Sequence, residues 1–66
     1  MTPESVREEI DRIRAVAHDD ERAHGMEDDL LWQFVVWCAN TGTPEVRAVA
    51  NEVLSSQPLP FSRWCA

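Results

Sequence analysis

Lysine and tyrosine are missing from this 66-residue sequence, and glycine and cysteine occur only twice each. Without lysine, six arginines face twelve acids, for a net charge of −6. A chain with so few cations has no basic patch to neutralise phosphates, which argues against nucleic acid as a direct ligand. The all-arginine usage itself fits a GC-rich coding genome and carries little functional information. Long hydrophobic runs are missing as well. The longest, Leu30-Leu31-Trp32 with Phe34 to Ala39, is broken by Gln33 and preceded by three acids, well short of the roughly 20 apolar residues that span a bilayer. Met1-Thr2-Pro3-Glu4 has neither the basic start nor the apolar stretch of an export signal, so a cytoplasmic location is expected. Two cysteines, Cys38 and Cys65, allow one disulfide at most. In a reducing cytoplasm both are expected as free thiols, packed as small apolar residues.

What is present is unevenly distributed. Residues 1–29 carry ten acids against four arginines, a net of −6, whereas residues 30–66 balance Glu45 and Glu52 against Arg47 and Arg63. All three tryptophans and both phenylalanines lie in the neutral part. Apolar residues make up 44% and charged residues 27%, a globular composition that argues against wholesale disorder. A chain this short nevertheless buries only about 60% of its unfolded surface, so it needs a staple or a partner.

Thr2-Pro3-Glu4 and Thr43-Pro44-Glu45 repeat one helix-start signature: a threonine cap, proline in the first turn, and an acid suited to the helix dipole. After Thr2 the series Val6, Ile10, Ile13, Ala17, Asp20, His24 alternates steps of four and three, the seam of a helix packing along another. A second stripe runs through Met26, Leu30, Phe34, Trp37 and Cys38 to an end at Asn40-Thr41-Gly42, with Gly42 as a left-handed cap. The pattern predicts helices over about 3–24, 26–40 and 44–56. The first two are either broken at Gly25 or continuous. A continuous helix would be roughly 57 Å long and would require a dimer to cover it. The third helix is expected to bury Val46, Val49, Val53 and Leu54. Pro58 and Pro60 predict an extended tail over 57–66, and at least two tryptophans are expected to fill the core.

No constellation specifies a reaction. Glu21 and His24 form a Glu-x-x-His pair, the spacing of carboxylate–histidine metal bundles, but further carboxylates and a second pair would have to come from another chain. The simpler reading is a solvated acidic surface with His24 beside Glu21 and Asp28. Cys38 falls near a helix C-terminus, the wrong end to activate a thiolate. The runs Asp19 to Glu21 and Glu27 to Asp29 could imitate DNA phosphates, although half the chain is neutral. They could also form the footprint of an arginine-rich partner. Phe61, Arg63 and Trp64 supply residue types that anchor interfaces.

The string Ala17-His18-Asp19-Asp20-Glu21, then Ala23-His24, Met26-Glu27-Asp28-Asp29-Leu30 and the terminal Phe61-Ser62-Arg63-Trp64-Cys65-Ala66 resembles a family of small acidic proteins of actinobacteriophages. Some members of that family are labelled predicted RNA polymerase components. The middle departs from the family, since Trp32, Val36 and Trp37 stand where it is more polar. No catalytic residues come with the resemblance.

The sequence therefore predicts a single small all-α domain over residues 1–66: a bundle of two or three helices with a proline-containing tail, forming a homodimer. The expected function is that of a phage-encoded, non-enzymatic accessory protein without a cofactor. It would bind a bacterial host protein, RNA polymerase among the candidates, in the host cytoplasm, with no direct nucleic-acid or membrane contact. The expected partner-binding residues are Phe61, Arg63, Trp64, Asp19, Asp20 and Asp28. The alternatives are a dimeric metal protein using Glu21 and His24, and an acidic DNA mimic.

Overall fold

Two helices begin where a threonine precedes a proline. In the computed structural model, which describes residues 1–61, α1 spans Pro3–Ala15 and α3 spans Pro44–Leu54. Thr2 Oγ1 accepts from the Ser5 N–H at 3.1 Å, and Ser5 Oγ accepts from the Thr2 N–H at 2.9 Å, so two orphan donors are satisfied reciprocally. Thr43 Oγ1 accepts from the Val46 N–H at 3.3 Å. In both helices proline occupies the first turn, where its missing N–H costs nothing. Between them α2 spans Asp20–Thr41, 22 residues or roughly 33 Å. The chain is all-α, with three helices and no strand among the described residues.

The division between α1 and α2 differs from the expected helices over 3–24 and 26–40. The break falls at 16–19, and Gly25 lies inside α2. Asp19 supplies the reason. Its Oδ1 accepts from the Arg22 N–H at 3.1 Å, and its carbonyl accepts from the Ala23 N–H at 2.9 Å, so it caps the new helix. Asp20 and Glu21 then stand in the first turn, where the dipole favours acids, and Arg12 and Arg14 stand in the last turn of α1. The link is a tight turn: the Ala17 N–H donates to the Arg14 carbonyl and the Asp19 N–H to the Val16 carbonyl. No capping side chain precedes Met26, so the helix continues through Gly25 at a cost of about 1 kcal/mol. With the break at 16–19, the argument for a dimer from a 57 Å helix loses its premise.

At the other end of α2, Asn40 Nδ2 donates to the Val36 carbonyl at 3.0 Å and Thr41 Oγ1 to the Trp37 carbonyl at 2.7 Å. Gly42 is not a left-handed cap, because no described residue has a positive φ. Its N–H continues the helical pattern by donating to the Cys38 carbonyl at 3.0 Å. Glycine fits there because space is short. A Cβ would stand 2.7 Å from both the Cys38 carbonyl oxygen and Val46 Cγ1. The regular part of α3 stops at Leu54, two residues before the expected end, because Pro58 has no N–H to give and disfavours helix at the residue before it. The described part of the tail is not extended throughout. The Gln57 N–H donates to the Leu54 carbonyl and the Leu59 N–H to the Ser56 carbonyl, giving consecutive turns.

The chain divides into two compact units, 1–32 and 33–61 among the described residues. In the first, Val6, Glu9, Ile13 and Val16 form the half-buried stripe of α1 and its cap, while Ala23, Met26 and Leu30 are half-buried on α2. This stripe departs from the expected seam: Ile10 is exposed, and Ala17 lies in the turn. In the second unit Ala50 is buried, the only described residue of the chain that is. Neither described tryptophan is buried, so the core is not filled by at least two of them as expected. Trp32 is half-buried, Trp37 is exposed, and Trp64 lies outside the described residues. Among the described residues no helix is long and apolar enough to cross a membrane.

Candidate functional site

The first unit carries its charge on the surface. Asp19, Asp20, Glu21, Glu27 and Asp29 are exposed along the start of α2, and Glu4, Glu8 and Asp11 along α1. Two ion pairs offset part of this field: Arg12 meets Glu9 at 2.6 Å, and Arg14 meets Asp11 at 3.2 Å. His24 Nε2 lies 3.5 Å from Asp28 Oδ1 one turn further on. Glu4, Glu8, Asp20, Glu21, Glu27 and Asp29 have no ion pair with a cation among the described residues. The result is an uncompensated negative potential over one unit, able to act at a distance.

Of the expected partner-binding residues, Asp19, Asp20 and Asp28 share this unit with different local roles. Asp19 is occupied as a helix cap, Asp28 is half-buried beside His24, and Asp20 is exposed. Phe61 is exposed at the end of the described chain, and Arg63 and Trp64 lie outside it. For the metal candidates, His24 is placed with Asp28, while Glu21 is exposed. No group of three or more His, Cys, Asp or Glu side chains is gathered as a metal site among the described residues.

The second unit holds a feature that the sequence reading missed. Between the last turns of α2 and the length of α3 runs an apolar groove of about 350 Å³. Phe34, Val35 and Cys38 form one wall, and Val46, Val49, Ala50 and Val53 form the other, with Glu45 as the one charged lining residue among those described. The expected burial of Val46, Val49 and Val53 does not occur. Val49 is 59% exposed, and Val46 and Val53 are also exposed, because no other described element of this unit covers them; Leu54 is half-buried. Phe34 is 49% exposed, and its ring stacks obliquely on that of Trp37, with centroids 6.2 Å apart and planes at 31°. Cys38 is a half-buried free thiol in this wall. The spacing of 46, 49, 50 and 53 is the signal that could have revealed the groove, since it gives α3 an apolar stripe with no partner stripe following in sequence.

Comparison with protein-family models, curated proteins and solved structures found no match to this chain.

Proposed function

We propose that this chain is a phage-encoded, homodimeric accessory protein that binds a protein of its bacterial host and catalyses no reaction. The observation that carries the reading is the segregation of charge onto one compact unit. Residues 1–32 hold the whole net charge of −6, much of it on exposed acids at α1 and the start of α2 that have no ion pair among the described residues. A field of one sign on one surface speeds encounter with a basic partner and rejects acidic ones. The tail residues Phe61, Arg63 and Trp64 would add the aromatic and guanidinium anchors that concentrate binding energy in protein interfaces. The resemblance to small actinobacteriophage proteins makes RNA polymerase the first partner to test.

The test is direct binding of the purified chain to purified actinobacterial RNA polymerase. The expected result is saturable binding with an association rate that falls as salt is added, because screening shortens the reach of the acidic field. Replacing Asp20, Glu21, Glu27 and Asp29 by their amides should slow association by about tenfold or more while leaving helicity intact. Trp64→Ala should instead speed dissociation. Absence of binding rejects the polymerase as partner. Binding indifferent to both salt and the four amides rejects the acidic unit as the contact surface.

A further inference from the structure

We infer that the groove of the second unit is covered by a second copy of the chain, so that the homodimer forms through α3 and the Phe34–Cys38 stretch of α2 and leaves the acidic unit to the host partner. This inference rests on the homodimer of the proposed function and is independent of which host protein is bound.

The exposed area matches what such an interface takes. The exposed parts of Phe34, Trp37, Val46, Val49 and Val53 come to roughly 400 Å² of apolar surface for residues of this size. One partner in a standard specific interface contributes about 800 Å², somewhat over half of it apolar. A two-fold dimer would bring the same patch together from both copies.

Charge selects this face over the other. Copies meeting through residues 1–32 would oppose six net negative charges with six more. Residues 33–61 carry only Glu45, Arg47 and Glu52, so their faces meet with little repulsion.

The fold's own needs favour a second copy over a foreign protein. Domains of this length are marginal on one small core, and a disulfide, a metal or oligomerisation commonly adds to it. Cys38 is free, no metal group is gathered among the described residues, and Ala50 alone of those residues is buried. A chain in that position is stabilised by added burial, and another copy is the partner present wherever the chain is made.

Sedimentation equilibrium and thermal melting of the full chain over about a hundredfold range of concentration test the inference, because a folded dimer melts at higher temperature as concentration rises. Wild type should be a dimer with a concentration-dependent midpoint. Val49→Ala should raise the dissociation constant by about tenfold, since it removes apolar contact in both copies. On a solvent-exposed helix the same change would favour folding, because alanine is the better helix former. Val49→Asp should leave a monomer, and if that variant fails to fold, Val49→Ala decides. A monomeric wild type with a constant midpoint overturns both the homodimer and this inference. A dimer whose dissociation constant ignores Val49→Ala places the interface elsewhere, which overturns the inference and spares the homodimer.

Discussion

Gly42 and Val46 stand so close that a Cβ on the glycine would lie 2.7 Å from Val46 Cγ1. The same Cβ would lie 2.7 Å from the Cys38 carbonyl oxygen, which is backbone and cannot rotate away. The contact sets how near the start of α3 comes to the end of α2, and so how the two walls of the groove begin. Gly42→Ala is expected to destabilise by about 1–3 kcal/mol through overpacking. Pairing it with Val46→Ala should recover only part of that loss, because the carbonyl clash remains. Urea unfolding of the two variants checks both statements.

Asp19 is expected to be worth about 1 kcal/mol as the cap of α2. Its Oδ1 holds the Arg22 N–H at 3.1 Å, and an alanine there leaves that donor to water. Asp19→Ala should lower the unfolding midpoint and the helical circular dichroism signal. Asp19→Asn should keep most of both, since the amide oxygen caps as well as the carboxylate does.

Gly25→Ala should stabilise the protein by about 1 kcal/mol. The position lies within α2, has no positive φ, and offers open space to an added methyl group. A higher urea midpoint is the expected outcome. A lower one would mean that the chain bends at this glycine and that α2 is not continuous.

The two arginine pairs of α1 should contribute little. Arg12 and Arg14 lie on an exposed surface beside Glu9 and Asp11, where ion pairs are worth a few tenths of a kcal/mol and are screened by salt. Alanine at either position should move stability by less than about 0.5 kcal/mol in denaturant titrations.

The helix starts at Thr2 and Thr43 were legible in the sequence because capping is local: one hydroxyl, one proline and one acid decide it within four residues. The end of α2 near Asn40-Thr41-Gly42 was legible for a similar reason, although glycine serves there for space and not for a left-handed turn. The break before Asp20 was hidden because the four-and-three spacing carries on through it to the polar Asp20 and His24, and because Asp19-Asp20-Glu21 reads equally well as a solvated acidic surface. Only the bond from Asp19 Oδ1 to the Arg22 N–H separates the two meanings. The exposed valines of α3 were misread because periodicity tells which residues share a face, not whether another element arrives to cover it. The acidic part of the candidate surface follows from composition alone, whereas spacing marks only the unpartnered stripe of α3, and the groove itself depends on how α2 and α3 approach each other.

α2 belongs to both compact units, since residues 20–32 lie in one and residues 33–41 in the other. The costly event in making a helix is its first turn, after which each added residue is cheap. The two units therefore draw on a single nucleation event, and a turn secured at Asp19 helps to extend the helix as far as the wall formed by Phe34 and Cys38. A change in the acidic half can in this way alter the apolar half without touching it, and amide exchange should register such a change as shared protection along the whole of α2.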